Sequence, residues 1–240
     1  MSTVVIVQTG STLPTLRARR GDFPQWFAEE LRRGGAESSV VHVAEGEALP
    51  PPEMVSGAVV TGSHAMVTDA LPWSEQTARW LREAVARGLP VLGVCYGHQL
   101  LAHALGGEVG FNPRGSELGT VEIALADEAL GDPLLGGWGK TLRVQACHAQ
   151  SVLRLPENAR LLARNAWDPH HAFAVGPRAW GLQFHPEFDR DITQTYIREC
   201  ASDLVAQGQD PAALEAACHE TPSGPEILRR FAQITRQQRD

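Results

Sequence analysis

The stretch Pro90-Val-Leu-Gly-Val-Cys-Tyr-Gly-His-Gln99 decides the fold and singles out one side chain. A short apolar strand runs into the pattern Gly-x-Cys-x-Gly and then into a helical window at 99–104. Gly93 and Gly97 leave room for a tight turn, so Cys95 is expected at the exposed carboxyl end of the strand. A thiol at a helix N-terminus faces the positive end of the helix dipole, which favours the attacking thiolate. The alternative, an inert cysteine on a core strand, does not explain the two glycines.

The residues around this stretch predict an α/β fold. Short β-branched runs alternate with amphipathic windows, which is typical of parallel strands joined by crossover helices. The continuous apolar character of 91–94 suits a central parallel strand that is covered on both faces. The predicted strands of this half are 3–7, 39–43, 57–61 and 90–94, and the predicted helices are 23–33 and 73–87.

The second half of the chain shows a different pattern, with β-like runs that we expect to pair antiparallel. These runs are 121–125, 142–146, 160–164, 171–175 and 179–184, and helices are predicted at 192–206 and 225–236. We therefore predict a doubly wound, mostly parallel central sheet flanked by helices, with a smaller antiparallel sheet. A single domain is expected over 1–240, with a C-terminal helical extension at about 202–240.

Composition favours small-molecule chemistry. The net charge of -7 and the pI near 5.7 provide no basic surface, so neither nucleic acid nor a membrane is an expected partner. No apolar stretch approaches the ~18 residues that a membrane-spanning helix needs. Four cysteines without Cys-x-x-Cys spacing, and no N-terminal secretion signal, predict a reduced cytoplasmic setting. No phosphate-binding Gly-x-x-x-x-Gly-Lys-[Ser/Thr] sequence occurs, and neither a metal nor another cofactor is expected.

A second motif, Gln183-Phe-His-Pro-Glu187, supplies what a cysteine nucleophile needs. Such a nucleophile requires a base that takes and returns a proton, and a group that orients the base. Pro186 keeps the chain extended at His185, so His185 and Glu187 are expected on one side with the carboxylate in reach of the imidazole. A histidine before proline is by itself more often a turn residue. Its pairing with the cysteine motif favours a catalytic triad of Cys95, His185 and Glu187.

Together the two motifs resemble those of the class I glutamine amidotransferases, especially the glutaminase domain of GMP synthase and its stand-alone relatives. The order of cysteine, histidine and glutamate matches as well, and the resemblance covers roughly 3–197. It implies a flavodoxin-like fold and hydrolysis of the glutamine side-chain amide to glutamate and ammonia. Cys95 is then the nucleophile, His185 the acid and base, and Glu187 the orienting carboxylate.

The resemblance also implies residues around the substrate. The segment Val-Val-Thr-Gly-Ser at 59–63 resembles the strand and turn before the family's oxyanion loop, although the family turn is often richer in glycine and proline. The implied oxyanion hole consists of the backbone N–H groups of Ser63 and Tyr96, and the implied substrate-binding residues are Gly62, Gln99 and His148. Both side chains also have a structural interpretation. Gln99 would then cap a helix end, and His148 would satisfy polar groups at a strand terminus.

Three functions remain open at this point. The first is a glutaminase that supplies ammonia to a synthase subunit expected on a separate polypeptide, because the sequence to Asp240 leaves no room for a synthase domain. The second is a γ-glutamyl peptide or amine hydrolase with the same triad. Tyr96 favours the glutaminase, since some hydrolases of the superfamily have arginine after the nucleophile. The third is a catalytically silent regulatory subunit, against which the intact triad argues.

Overall fold

A computed structural model describes residues 3–237 of the chain. Within this range eleven strands alternate with eight α-helices. The strands are β1 (Val4–Gln8), β2 (Ser38–His42), β3 (Gly57–Val60), β4 (Val91–Val94), β5 (Glu108–Phe111), β6 (Glu117–Leu125), β7 (Thr141–His148), β8 (Gln150–Arg154), β9 (Ala159–Arg164), β10 (Ala172–Val175) and β11 (Ala179–Leu182). The helices are α1 (Pro14–Arg20), α2 (Phe23–Arg33), α3 (Pro72–Ala86), α4 (Tyr96–Ala104), α5 (Arg190–Glu199), α6 (Ala201–Ala206), α7 (Pro211–Ala216) and α8 (Ser223–Arg236). Short 3-10 helices lie at Val43–Glu45, Pro52–Met54, Val67–Asp69 and Asp127–Ala129.

The central sheet has nine strands in the order β2-β1-β3-β4-β11-β10-β9-β6-β7. The strands from β2 to β11 pair parallel, and those from β11 to β7 pair antiparallel. A separate antiparallel sheet consists of β5 and β8. The predicted α/β class is confirmed, and most of the antiparallel strands extend the central sheet, which is therefore mixed.

Alternate residues of the parallel strands face two different helical layers. Val4 and Ile6 of β1 pack with side chains of α2 and α8, whereas Val5 and Val7 pack with side chains of α3 and α4. Because successive side chains of a strand point to opposite faces, a strand covered on both faces has to be apolar throughout. β1, β3 and β4 are accordingly buried over their whole length.

The helical window predicted at 192–206 is two helices in the structure. Cys200 separates α5 from α6 with φ -93° and ψ 9°, and its N–H bonds to the carbonyl oxygens of Tyr196 and Arg198. Neither glycine nor proline marks this break, so the apolar periodicity hides it. The strand predicted at 179–184 ends at Leu182, and the elements α1, β5, β8 and α7 were not predicted.

The ends of strands β4 and β11 place the two sequence motifs side by side. The two strands pair in parallel register, with Val94 opposite Leu182. The N–H of Cys95 donates to the carbonyl oxygen of Leu182 at 2.8 Å, and the N–H of His185 donates to Gln145 of β7 at 2.8 Å. The carboxyl edge of the sheet thus holds both residues, which is where open α/β sheets bind ligands.

Across residues 3–237 no helix has the length and apolar character needed to cross a membrane. The predicted C-terminal extension contains α6, α7 and α8, and its last residues, 238–240, lie outside the described range, as do residues 1 and 2. The assignment of 1–240 to one domain with an extension at about 202–240 stays a prediction.

Candidate active site

Cys95 occupies a strained turn between β4 and α4. Its backbone has φ 53° and ψ -103°, a conformation that non-glycine residues rarely adopt and that costs about 1–3 kcal/mol. The turn is tight because a Cβ at Gly93 would lie 2.3 Å from the carbonyl oxygen of Gly97, and one at Gly97 would lie 2.3 Å from that of Val60. Both predicted glycines are therefore required by close backbone contacts. The strain marks this residue as a functional candidate.

His185 and Glu187 form the expected pair beside this turn. His185 Nδ1 lies 2.7 Å from Glu187 Oε1, and both side chains are buried. The ring of Phe188 stacks on His185 with centroids 4.0 Å apart, which fixes the plane of the imidazole. Burial opposes protonation of His185, but the charges of Glu187 and Cys95 outweigh it and raise the pKa of His185 to about 10. These charges therefore favour the imidazolium form of His185.

The turn after β3 approaches the same two residues from the other side. A Cβ at Gly62 would lie 3.1 Å from His185 Cε1 and 3.8 Å from the Cβ of Cys95, so only glycine fits here without displacement. Ser63 anchors the turn through its side chain, whose Oγ donates to Thr9 at 2.9 Å and accepts from the N–H of Ala65 at 3.1 Å. The backbone N–H of Ser63 has no hydrogen-bond partner in the described chain.

Tyr96 contributes its backbone to the site and its side chain to the core. It is the first residue of α4, where helical N–H groups have no intrahelical partner. Its hydroxyl lies 2.6 Å from Ser74 Oγ, and burial raises the pKa of Tyr96 to about 12. Ser63 and Tyr96 line the same cavity as Cys95, and the role of their backbone N–H groups as an oxyanion hole stays a prediction.

A cavity of about 660 Å³ opens beside Cys95. The residues that line it include Ser63, Tyr96, Gln99, Glu117, His148, Tyr196, Glu199, Cys200, Asp203 and Gln207. Neither lysine nor arginine is among the described residues that line it.

The predicted substrate-binding residue Gln99 uses its amide nitrogen within the protein: the nitrogen donates to Gln150 O at 2.8 Å and to Gln183 Oε1 at 3.1 Å. Only its oxygen is left to accept a hydrogen bond from a ligand.

The chain between β7 and β8 is a single-residue bend at Ala149 that lies beside Cys95. Cys95 Sγ lies 3.5 Å from the carbonyl oxygen of Cys147. The predicted binding residue His148 borders the cavity, but its side chain is fully buried and both ring nitrogens are occupied, one by Gln150 O at 3.0 Å and one by Glu117 Oε2 at 2.9 Å. Any contact of this bend with substrate therefore falls to its backbone.

Glu117, His148 and His171 are the described residues that could hold a metal ion, because their ligand atoms all lie within 4.8 Å of one another. Hydrogen positions argue against it. A metal on His171 Nε2 would move the ring hydrogen to Nδ1, which is buried and has no acceptor among residues 3–237. An unsatisfied buried donor costs about 1–3 kcal/mol. A hydrogen on Nε2 instead donates to the carboxylate of Glu117 and leaves Nδ1 as a bare nitrogen, so the ring makes the one hydrogen bond that its surroundings offer.

Two functional candidates were missed from the sequence. Phe188 follows the second motif directly, and its position after Glu187 was a signal for an aromatic partner of His185. Glu117 had no local signal, because its neighbours His148 and His171 reach it only through strand register and the long connection to β10.

Comparison with known proteins defines the family. The model of the family described as "Glutamine amidotransferase class-I" matches residues 21–202 of this chain, and this range includes both motifs. The chain belongs to the class I glutamine amidotransferase family. Its relatives include a GMP synthase (glutamine-hydrolyzing) of Aeropyrum pernix, 36% identical over 186 residues, which are 74% of this chain and 34% of the relative. Gamma-glutamyl peptidase 4 of Arabidopsis thaliana is 31% identical over 177 residues, which are 72% of this chain and 70% of the relative.

Solved structures share the fold along almost the whole chain. A glutamine amidotransferase of Thermotoga maritima superposes with a TM-score of 0.77 at 20% identity and covers 99% of this chain and 100% of that one. A glutamine amido transferase of Methylobacillus flagellatus gives a TM-score of 0.71 at 25% identity, covering 98% and 92%. The chain spans only about a third of the GMP synthase that it matches, so it resembles one part of that protein.

Proposed function

We propose that this class I glutamine amidotransferase hydrolyses the side-chain amide of glutamine to glutamate and ammonia. The observation that carries the proposal is that His185 contacts both Glu187 and Cys95, and that Cys95 lines a cavity large enough for a small molecule. Relatives with glutamine hydrolysis in their names support it.

The first half-reaction follows from the charges at the site. The thiolate of Cys95 attacks the amide carbon, and the N–H groups of Ser63 and Tyr96 stabilise the oxyanion that forms. The imidazolium of His185 gives its proton to the departing ammonia, which leaves a γ-glutamyl thioester on Cys95.

The second half-reaction reuses the same imidazole. His185, now neutral, takes a proton from water, and the resulting hydroxide attacks the thioester and releases glutamate and the thiolate. Glu187 keeps Nδ1 protonated, so that the other ring nitrogen faces the reacting atoms, and it stabilises the imidazolium. Since no lysine or arginine lines the described cavity, backbone N–H groups are the donors we assign to the substrate α-carboxylate.

A second candidate, hydrolysis of γ-glutamyl peptides or amines, is favoured by the size of the cavity. The cavity volume of about 660 Å³ lies within the range of roughly 300–1,000 Å³ that holds drug-sized ligands. The cavity, whose lining includes Cys200 and Asp203, therefore has room for a larger leaving group than ammonia. A γ-glutamyl peptidase among the relatives also supports this candidate. The intact triad argues against a silent regulatory subunit.

Substrate and partner can be tested together. Purified protein is given glutamine or γ-glutamyl peptides, and release of glutamate and of ammonia or peptide is measured. Faster turnover of glutamine supports the glutaminase, and faster turnover of peptides supports the peptidase. Inactivity on every compound, alone and with a cell extract, contradicts both.

We further propose a separate ammonia-accepting synthase as partner and a cytoplasmic location. The matched part of a longer GMP synthase supports the partner, and four free cysteines in the described residues support a reducing compartment. Co-purification with affinity-tagged protein tests the partner. Recovery of a synthase whose product formation depends on glutamine and on Cys95 would support it, and full activity of every recovered synthase without this chain would contradict it.

A further inference from the structure

Glu117 is a buried carboxylate that the proposed reaction does not use. Its Oε2 lies 2.9 Å from His148 Nε2 and 2.8 Å from His171 Nε2, and its Oε1 accepts a hydrogen bond of 2.6 Å from Asn165. Burial opposes ionisation of this carboxyl, but the hydrogen bonds from the two histidines outweigh it and hold the pKa of Glu117 well below its usual range. Glu117 is therefore an anion that only accepts hydrogen bonds.

The partners of His148 determine where its hydrogens lie. Nδ1 faces the carbonyl oxygen of Gln150 at 3.0 Å, and Nε2 faces the carboxylate of Glu117. Both partners only accept, so both ring nitrogens must donate and the ring is an imidazolium. His171 differs because its buried Nδ1 has no partner in the described part of the chain, which places its single hydrogen on Nε2. Glu117 and His148 thus form a buried ion pair.

This ion pair closes the bend at Ala149. The ring of His148 donates across its own bend to Gln150 O, and the same oxygen accepts the amide of Gln99 at 2.8 Å. On the other side of the bend, the carbonyl oxygen of Cys147 lies 3.5 Å from Cys95 Sγ. A shift of the bend would therefore move two groups that border the nucleophile.

We propose that Glu117 is a positioning residue for this site: by pairing with a doubly protonated His148 it fixes the bend at Ala149, and with it Gln99 and the carbonyl of Cys147. Only the kinetic part of the test rests on the proposed function, and the other part needs no substrate.

Nitrogen NMR of the histidine rings in the full-length protein tests the ion pair directly. At neutral pH we expect hydrogens on both ring nitrogens of His148 and on Nε2 alone of His171. A bare nitrogen on His148 overturns the proposal. Elemental analysis of the same sample gives a second check, since a stoichiometric metal lost in H171N would mean that the cluster is a metal site.

Steady-state kinetics test the positioning role. Glu117→Gln keeps the shape of the side chain and removes its charge, so His148 loses a hydrogen and the bend is released. We expect kcat/KM to fall on the order of tenfold to a hundredfold, mainly through KM, because Gln99 lines the cavity beside Cys95.

Asp132→Asn is the matched control. Asp132 is equally buried and accepts from Trp180 Nε1 at 3.1 Å and from the N–H of Leu134 at 2.9 Å, but it does not line the cavity. The D132N variant should lose thermal stability without a change in KM. An unchanged KM in E117Q, or an equal KM change in D132N, overturns the proposal. If E117Q does not fold, the NMR measurement on the unaltered protein still decides, and if no substrate is turned over, the proposed function fails while the ion pair remains testable.

Discussion

The parallel and antiparallel halves of the central sheet contribute to the site in different ways. The parallel half provides Cys95 and Gly62 from turns that directly follow β4 and β3, so each residue is placed by a few local backbone contacts. The antiparallel half provides Glu117 and His148, which meet only because β6 and β7 pair in register. His185 joins the two halves, because it follows parallel strand β11 and its N–H bonds to β7. The position of the proposed nucleophile thus depends on local turns, and the positions of Glu117 and His148 depend on long-range strand pairing.

The largest expected effect is the loss of the nucleophile. Cys95→Ala should lower turnover by about 10⁴–10⁶, since no other group can form the thioester. Glutamate release measured beside Cys218→Ala checks this, because Cys218 is buried away from the cavity and should be dispensable. If C95A keeps an activity near that of the unaltered protein, the nucleophile is not Cys95 and the reaction does not depend on the turn after β4.

Glu187→Gln should have the next largest effect. The amide keeps the contact to His185 but neither orients the imidazole in the required tautomer nor stabilises its charge, so kcat should fall by about 10³–10⁴. The exposed Glu220→Gln serves as control, with unchanged kinetics expected. A fall of less than tenfold in E187Q would mean that Phe188 and the backbone alone orient His185.

Gly62→Ala tests the close approach of the β3 turn. The added Cβ would lie 3.1 Å from His185 Cε1, so the imidazole or the turn has to move, and kcat/KM should fall on the order of tenfold to a hundredfold. Gly131→Ala is the matched control because its Cβ would meet no atom within 4 Å. Equal activity of the two variants would contradict the predicted tight packing.

The pH profile should show the smallest change over the neutral range. The raised pKa of His185, about 10, means that the ring keeps its proton well above its ordinary value of 6.5. Its protonation therefore stabilises the fold in full below about pH 6.5, and this contribution is lost as the pH rises through about 10. We expect kcat/KM to lose activity on the basic side only near pH 10, and at lower pH in E187Q. A basic limb of the kcat/KM profile near pH 7 in the unaltered protein would contradict the raised pKa of His185 and its pairing with Glu187.

The sequence predicted the fold and the grouping of Cys95, His185 and Glu187 because their signals are local, and the catalytic role of the three residues stays a prediction. Two glycines around Cys95 and a proline between His185 and Glu187 constrain neighbouring residues directly. The sequence did not predict Glu117, since a lone glutamate at the start of a strand looks like an ordinary surface residue until the strand order is known. The hydrogen bonds of the His148 ring to Glu117 and Gln150 were hidden for the same reason, and the role of His148 in substrate binding stays a prediction.

The break at Cys200 shows a further limit of the sequence. The apolar periodicity continues from α5 into α6, so one long helix was predicted where the structure has two helices separated at Cys200, a residue that lines the cavity. Periodicity reports which side chains are buried, and a single residue that leaves helical geometry barely alters it.

Labelling with an electrophilic glutamine analogue, followed by mass spectrometry of the digested protein, tests the central claim most directly. Such an analogue carries a reactive ketone in place of the side-chain amide and alkylates the thiolate that would attack the substrate. We predict one adduct, on Cys95, with loss of activity in proportion to labelling and protection by the true substrate. Labelling of Cys147, Cys200 or Cys218 instead, or an active protein fully labelled at Cys95, would contradict it.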